Sequence, residues 1–247
     1  MSAVDKAASR TETSAWRDLY RIGGVAALAI APLYVAELAA FIAGGPMPTT
    51  VLEWFALLQS NPLVGLVDLY LLEIPLYLMM GVMFLALYVA LRRTGETYMA
   101  LATFLAAMGV VLFFALNPAL SMLSLSNQYA AATGDAERAM LLAAGQAYLA
   151  MTQSTGFTVA FLLTTVAGLI ASAVMWRDVR FHKATAYVGV ASNVLLLALY
   201  VPAIGSLLWM LGGLILPFWL ILVGWDLVRL GRPGHQGQPE PSDSAAP

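Results

Sequence analysis

The stretch VDLYLLEIPLYLMMGVMFLALYVALRR, residues 67–93, is an apolar run of membrane-spanning length that ends in two arginines. It also contains three residues that a lipid bilayer disfavours, namely Asp68, Glu73 and Pro75. A bilayer core of about 30 Å requires about 20 predominantly apolar residues per helix. The pattern therefore predicts a transmembrane helix over residues 63–91 that carries acids, and it raises the question of what those acids do.

The composition of the whole chain agrees with a membrane location. Of 247 residues, 61% are hydrophobic and 11% are charged, and the mean hydropathy is +0.81. Soluble domains are nearer half apolar and a quarter charged. The net charge of −2 does not favour nucleic-acid binding, and the lack of cysteine excludes disulfides and thiolate ligands. We expect no cofactor, no bound metal and no nucleic-acid partner.

Six stretches are long and apolar enough to cross a bilayer. They predict an all-α integral membrane protein that folds as a six-transmembrane-helix bundle. The predicted spans are residues 22–44, 63–91, 98–123, 149–175, 184–203 and 206–229.

The distribution of basic residues predicts the orientation of these spans. With six crossings, eleven of the twelve lysines and arginines fall on one side of the membrane, and Arg138 alone falls on the other. Cytoplasmic loops carry the excess of Lys and Arg. We therefore predict a protein of the cell inner (plasma) membrane with both termini cytoplasmic. Residues 1–20 form a cytoplasmic segment, residues 21–230 the transmembrane domain, and residues 231–247 a disordered tail.

Two segments between spans are predicted to form short helices on the outer face. Residues 49–62 place an apolar stripe at helical spacing, and Asp135 is suited to begin a helix within residues 124–146. That helix and the following span together exceed the bilayer thickness, so we expect the helix either to project outward or to break near Gly145. The predicted stripe of the first helix consists of Val51, Leu52, Phe55 and Leu58.

Two glutamates are predicted to lie deep in the bundle at the same level. Glu37 and Glu73 each lie about four residues, or roughly 6 Å, on the outer side of their span's midpoint. Tyr34 shares a helix face with Glu37, and Tyr70 and Tyr77 share one with Glu73. Acids inside a span are costly and are often functional. We predict an outward-facing pocket with the two glutamates at its floor; a protonated structural carboxyl is the alternative interpretation.

Further polar residues in the outer half of the bundle are also candidate binding residues. Asp68 lies nearer the headgroups, and Asn117 and Gln153 occupy outer ends of spans; hydrogen bonding between helices is the alternative role for the last two. Pro32 and Pro75 are expected to kink their helices and free backbone carbonyls near the acids.

Other patterns favour structural roles. Thr164, Gly168 and Ser172 recur at four-residue spacing, which is typical of closely packed membrane helices. Asp226 and Arg229 are interpreted as a surface ion pair at the cytoplasmic end. His182 is interpreted as a neighbour of lipid headgroups.

Several segments resemble an uncharacterised family of bacterial multi-pass membrane proteins of the domain-of-unknown-function type (DUF4386-like). The resemblance implies a helical membrane bundle across most of residues 19–230 and implies no activity or site. The segments that carry it are LYRIGG (19–24), TVLEWFALLQSNPLVGLVDL (50–69), LALYVALRR (85–93), NPALSMLSLSNQYAAATGDAERA (117–139) and TAYVGV (185–190).

Three functions remain open from the sequence. The first is binding or transport of a small solute, a proton or another cation at Glu37 and Glu73. The second is a membrane-embedded enzyme that acts on a lipid or isoprenoid, with a glutamate as general acid. The third is a non-catalytic sensor or partner subunit. The expected partners are the lipid bilayer, a small cation or apolar ligand, and either a second copy of the chain or another membrane protein.

Overall fold

The computed structural model describes residues 16–44, 47–152 and 154–232, and every regular element in these ranges is helical. Gln153 and most of the predicted disordered tail lie outside the described residues. The helices are α1 (Arg17–Gly44), α2 (Val51–Ser60), α3 (Pro62–Asp68), α4 (Glu73–Leu116), α5 (Ala119–Ala131), α6 (Asp135–Thr152), α7 (Thr155–Met175), α8 (Lys183–Leu197), a 3-10 helix (Ala198–Tyr200) and α9 (Gly205–Leu230).

The prediction of an all-helical structure is confirmed for the described residues, and several of their helices are long and apolar enough to suggest a membrane protein. Four stretches in the described residues are long and apolar enough to cross a bilayer, and α8 is a shorter apolar helix. The four stretches are Arg17–Ala40, Glu73–Ala131, Asp135–Met175 and Gly205–Leu230.

Helix α4 is bent back on itself at Gly95, where φ is −164° and ψ is 70°. The two arms, residues 73–94 and 96–116, run antiparallel, since Thr103 Oγ1 donates a hydrogen bond to the Phe84 carbonyl at 3.4 Å. A Cβ added at Gly95 would lie 3.3 Å from a methyl group of α7, so a small residue suits the bend. The first arm and the second arm of α4 therefore pack as a helical hairpin.

The start of α4 differs from the prediction of one continuous helix over residues 63–91. Helix α3 ends at Asp68, the backbone reverses at Tyr70 with a φ of 67°, and α4 begins at Glu73. The reason lies at Pro75, which lacks an N–H group and clashes with the carbonyl four residues earlier in a helix interior. A restart at Glu73 places Pro75 in the first turn, where that loss costs little. The expectation that Pro75 kinks a span is therefore wrong.

The prediction of one span over residues 98–123 is also wrong in detail, since the chain is interrupted at Asn117. This residue precedes Pro118 and adopts an extended conformation, with a ψ of 121°. A residue before proline is disfavoured in the α region, which explains the end of α4 at Leu116. Helix α5 then starts in a new direction.

Five helices form a closed ring. Helix α1 contacts α4 and α9, α4 contacts α7, and α8 lies between α7 and α9. Small residues allow the closest approaches: a Cβ added at Gly23 of α1 would lie 2.2 Å from the Ala86 side chain of α4. Likewise, a Cβ added at Gly24 would lie 2.7 Å from the side chain of Val228 in α9. The ring encloses most of the hydrophobic core.

Basic residues gather at one end of the ring, which we call the basic end. The Arg92 guanidinium lies 5.5 Å from the ring centroid of Trp16, which brings the bend of α4 to the start of α1. Arg229 Nη2 donates to the carbonyl of Arg180 at 2.5 Å and joins the end of α9 to the α7–α8 loop. Arg180 Nη2 in turn donates to the carbonyl of Ala90. The helix ends nearest the predicted cytoplasmic loops therefore meet in one place.

The opposite end carries a helical cap made of α2, α3, α5 and α6. Gln59 of α2 donates to Ser126 Oγ of α5 at 2.9 Å, and Ser126 donates to the Phe55 carbonyl at 3.1 Å. Leu52, which was predicted to belong to the buried stripe, is 53% exposed, and Trp54 is buried instead. The cap has its own core, formed by Val51, Trp54, Phe55, Leu58, Leu69, Ala119 and Met122.

The outer helix continues through Gly145 rather than breaking there. Gly145 lies inside α6, and a Cβ added at this position would lie 2.5 Å from Val51 Cγ1. The glycine therefore allows α6 to approach α2. The chain is interrupted closer to α7, where Ser154 caps the new helix by accepting a hydrogen bond from the Phe157 backbone at 3.4 Å.

Candidate functional site

A cavity of about 450 Å³ lies inside the ring, in the half next to the cap. All five ring helices contribute to its wall, as do the turn before α4 and the end of α6. Its lining consists of Ile30, Tyr34, Glu37, Leu38, Tyr70, Glu73, Leu76, Tyr77, Met80, Phe84, Thr152, Phe157, Thr158, Phe161, Thr164, Thr165, Asn193, Leu196, Leu199, Trp209, Leu216, Trp219 and Leu220.

Both predicted glutamates line this cavity at matching levels. Gly23 contacts Ala86 across antiparallel helices; Glu37 follows Gly23 by fourteen residues, and Glu73 precedes Ala86 by thirteen. Helical residues all rise by the same distance, so the two acids lie within about one residue of the same height. The structure thus brings Glu37 and Glu73 to a common cavity.

The two acids have different surroundings. Glu37 is only 3% exposed, and its Oε1 atom is buried with no hydrogen-bond partner among the described residues. Glu73 is partly exposed and begins α4, where the helix dipole favours a negative charge. An unpaired buried polar atom costs about 1–3 kcal/mol. The arrangement leaves Glu37 able to accept a hydrogen bond or a positive charge from a group in the cavity.

Aromatic rings form a continuous arc along one side of the cavity. Tyr70 and Phe157 have ring centroids 5.4 Å apart, and Phe157 lies 5.8 Å from Phe113. Phe113 stacks on Tyr77 with centroids 4.0 Å apart and planes 4° from parallel. Tyr70, Phe157 and Tyr77 line the cavity, and Phe113 supports them from behind. We call these four residues the aromatic arc.

Tyr34 completes the predicted tyrosine set from the opposite helix. It projects from α1 towards α9, since a Cβ added at Gly213 would lie 2.9 Å from Tyr34 Oη. The three tyrosines predicted to accompany the acids therefore all line the cavity. Tyr70 does so from a turn, although it was expected on the helix face of Glu73.

The wall of the cavity towards the basic end is closely packed. Asn193 of α8 is buried and donates to the Gly189 carbonyl at 2.8 Å. A Cβ added at Gly168 of α7 would lie 2.4 Å from Asn193 Oδ1, and one added at Gly189 would lie 2.2 Å from Ser172 Oγ. Gly168 and Ser172 of the predicted packing motif thus face α8. Thr164 lines the cavity and also contacts Gly109 in the second arm of α4.

Trp219 is a cavity residue that the sequence reasoning missed. Its Nε1 atom is buried with no hydrogen-bond partner in the described part of the chain, and a Cβ at Gly189 would lie 2.3 Å from it. No local spacing in α9 distinguishes Trp219 from a core residue, so only the three-dimensional structure shows that it lines the cavity.

Two predicted binding residues lie outside this cavity. Asp68 is buried at the end of α3. Asn117 donates to the Tyr70 carbonyl at 3.0 Å and accepts from the Ala119 backbone at 3.1 Å. Asn117 therefore holds the turn that carries Tyr70, which is a positioning role at the interruption between α4 and α5. Gln153 lies outside the described residues.

The predicted ion pair is present, with Arg229 Nη2 lying 3.6 Å from Asp226 Oδ1, but Asp226 is not the surface residue that was predicted. Its exposed fraction is 0%, and its carboxylate accepts hydrogen bonds from Thr185 Oγ1 at 2.6 Å, from the His182 backbone at 3.2 Å and from His182 Nδ1. Arg229 Nη1 donates to His182 Nε2 at 3.0 Å. His182 is therefore held between Asp226 and Arg229 while its side chain stays 49% exposed, and its interpretation as a headgroup neighbour stays a prediction.

A second ionic cluster lies next to it at the basic end. Asp178 accepts hydrogen bonds from Thr94 Oγ1 at 2.5 Å and from Arg180 Nε at 3.0 Å. Burial by itself would raise the pKa of Asp178, but the hydrogen bonds from Arg180 and Thr94 outweigh it and hold that pKa below its usual value. The hydrogen bonds to Asp178 correspondingly raise the pKa of Arg180. This cluster ties the bend of α4 to the α7–α8 loop.

Comparisons with known proteins add no family or relative: no protein-family model, no curated protein and no solved structure matches the chain. The resemblance noted above stays a prediction.

Proposed function

We propose that the chain is a six-span protein of a bacterial inner membrane that binds a small cationic solute from the outer side. Glu37 and Glu73 would supply the negative charge for this solute inside the cavity. The single observation that carries the proposal is that both acids line one cavity, where Glu37 has a buried oxygen atom without a hydrogen-bond partner in the described part of the chain. A solute that brings a positive charge into the cavity would offset the cost of burying an ionised Glu37 carboxylate.

The bend in α4 supports the proposal of six membrane crossings. The bend at Gly95 divides Glu73–Leu116 into two antiparallel arms of about 20 residues, each sufficient for a bilayer core. With α1, α7, α8 and α9, these arms make six. Helix α8 has 15 residues, or about 22 Å, and the 3-10 helix extends it.

The proposed orientation rests on the basic end. Arginines from the start of α1, the bend of α4, the α7–α8 loop and the end of α9 gather there. The positive-inside rule assigns such an end to the cytoplasm. The cavity would then lie in the outer half, beneath the cap.

Binding with an occluded inner side fits the packing better than a continuous channel does. Asn193, Gly168 and Ser172 fill the contact between α7 and α8 on the basic side of the cavity. Any passage to the cytoplasm would require these helices to separate. We therefore propose solute binding as the primary function and transport as a consequence of such a movement.

A membrane-embedded enzyme acting on an isoprenoid is the second candidate, and the aromatic arc favours it. Aromatic rings stabilise carbocations as well as stable cations. Turnover of an added isoprenoid diphosphate to a new product by the purified protein would distinguish this function from binding.

Infrared titration of the full chain in lipid nanodiscs tests the proposed function. The carboxyl bands of wild type would be compared with those of Glu37→Gln, Glu73→Gln and the double variant. Two acids that share one cavity are coupled, so removal of Glu37 should change the titration of Glu73.

The control for this experiment is Glu137→Gln, which removes an exposed acid from the cap. This variant should leave both cavity bands unchanged. If Glu73 titrates identically with and without Glu37 between about pH 5 and pH 9, the acids do not form a joint site and the proposal is wrong.

A further inference from the structure

The size of the cavity indicates what kind of cation it accepts. Pockets for small organic molecules occupy about 300–1,000 Å³, and a cavity of about 450 Å³ falls in that range. A bare metal ion is held by oxygen ligands within about 2.0–2.6 Å and leaves no such volume around it. The cavity volume therefore suits a small organic molecule rather than a bare metal ion.

The charged groups occupy only a small part of the cavity wall. Glu37 and Glu73 are the two acids that line it, and they share one level. A single positively charged head group placed at that level can approach both. With one acid ionised and the other protonated, the pair carries one negative charge, which balances one positive charge on the head group.

Most of the rest of the wall is aromatic and aliphatic, and its uncharged polar residues are four threonines and Asn193. The aromatic arc brings Tyr70, Phe157 and Tyr77 to the cavity in the neighbourhood of Glu73, and Tyr34 contributes from α1. Ring faces attract cations, most strongly those whose hydration is weak, such as substituted ammonium groups. Aliphatic side chains, among them Leu38 and Leu196, cover much of the remaining surface.

We infer that the solute is an organic ammonium ion with an apolar body, whose head group lies between Glu37 and Glu73 and contacts the aromatic arc. This inference rests on the proposed function and narrows it to one chemical class. Strongly hydrated inorganic cations lack the apolar body that would fill the cavity. Neutral apolar molecules lack the charge that would satisfy Glu37.

Binding of defined probes to the nanodisc-embedded full chain tests the inference. The probes are methylammonium, tetramethylammonium and benzyltrimethylammonium, with potassium ion and neopentylbenzene as comparators. Neopentylbenzene has the shape of the largest probe with carbon in place of the charged nitrogen. Affinities are measured by calorimetric titration, and the carboxyl infrared bands are recorded in the same samples.

The expected result is that affinity rises from methylammonium to benzyltrimethylammonium and that binding shifts the Glu37 and Glu73 bands. Glu37→Gln should weaken benzyltrimethylammonium binding at least about tenfold, since a buried charge partner is lost. Tyr77→Leu should weaken it about three- to thirtyfold, whereas Tyr77→Phe, which keeps the ring, should change it by less than about threefold. Tyr98→Leu, at an exposed tyrosine outside the cavity, should have no effect.

The remaining outcomes separate the two proposals. If potassium ion shifts the glutamate bands and none of the organic cations does, the inference is overturned while cation binding at the acids stands. Equal affinity for neopentylbenzene and benzyltrimethylammonium also overturns it, because charge would then play no part. If no cation perturbs either glutamate band, the proposed function fails together with the inference.

Discussion

Asp226 accepts a hydrogen bond from Thr185 at 2.6 Å, although 41 residues separate them in the chain. The same carboxylate binds the backbone and ring of His182. The start of α8 is thus fixed to the end of α9 by one fully buried acid. This connection lies at the basic end, whereas the cavity lies towards the cap.

Replacement of Asp226 should therefore destabilise the bundle. In Asp226→Ala, the Thr185 hydroxyl and the His182 backbone lose a charged acceptor, so we expect the free energy of unfolding to fall by about 2–4 kcal/mol. Unfolding by sodium dodecyl sulfate in mixed micelles measures this. Asp18→Ala removes an exposed acid from α1 and should change stability by less than about 0.5 kcal/mol. Equal losses in both variants would contradict a structural role for the buried network.

The contact between α7, α8 and α9 should not tolerate an added methyl group. A Cβ at Gly189 would lie 2.2 Å from Ser172 Oγ and 2.3 Å from Trp219 Nε1. We expect Gly189→Ala to lower the free energy of unfolding by about 1–3 kcal/mol through overpacking.

Gly81→Ala is the matched control for this substitution. The nearest atom to its added Cβ is 3.9 Å away, so the substitution should be neutral or stabilising by up to about 1 kcal/mol. Thermal unfolding midpoints in nanodiscs compare the two variants directly. A midpoint for Gly189→Ala at or above that of Gly81→Ala would show that the helices separate there at no cost.

The Asp178–Arg180 pair should make stability depend on pH in the acid range. The pKa of Asp178 is lower in the folded state than its usual value, so the folded carboxylate binds protons less readily than the unfolded one. Its stabilising contribution is therefore fully present above the unfolded pKa of about 4 and is lost as pH falls through the folded pKa.

This pH dependence is measured on wild type and Asp178→Asn in parallel. At about pH 6 we expect the variant to be less stable, because Arg180 and Thr94 lose an ionised acceptor. As pH falls below about 4, the difference in unfolding midpoint between the two proteins should shrink. A difference that grows on acidification would have the wrong sign for this pair.

Glu37 should be unfavourable for stability in the absence of solute. Its buried Oε1 atom has no partner among the described residues, and membrane-embedded acids are costly. Glu37→Met, a substitution of similar size, should raise the free energy of unfolding by about 1–2 kcal/mol when no ligand is added. Glu137→Met, at an exposed cap position, should be close to neutral. A loss of stability in Glu37→Met would instead identify Glu37 as a structural donor.

The matched height of the two glutamates could be predicted because it depends on helix geometry alone. Glu37 and Glu73 lie in sequence-adjacent antiparallel helices, where counting residues from a common contact gives relative height. Part of the cap could also be predicted from local sequence patterns. Apolar spacing identified α2, but not that Trp54 rather than Leu52 is buried, because that choice depends on where the neighbouring helices of the cap lie.

Other features depend on contacts between distant segments and could not be predicted. Asp226 and Arg229 have the spacing of an ordinary surface pair, and only the approach of α8 shows that Asp226 is buried. Tyr70 was assigned to a helix face because the run of apolar residues continues through it. The steric effect of Pro75 breaks that run, yet the turn held by Asn117 still brings Tyr70 to the cavity.

The ring of helices has a consequence for the order of events during synthesis. It closes where α1 meets α9, the first and last of its members, so the cavity wall is incomplete until α9 has been synthesised. Contacts between such distant segments form late, whereas the hairpin of α4 can form from neighbouring residues. Until α9 is in place, the cavity that Glu37 lines lacks the part of its wall that Trp219 and its neighbours in α9 supply. If α9 is lost, Glu37 should therefore lack part of the cavity wall that encloses it in the complete bundle. We expect membrane quality control to recognise such an exposed acid.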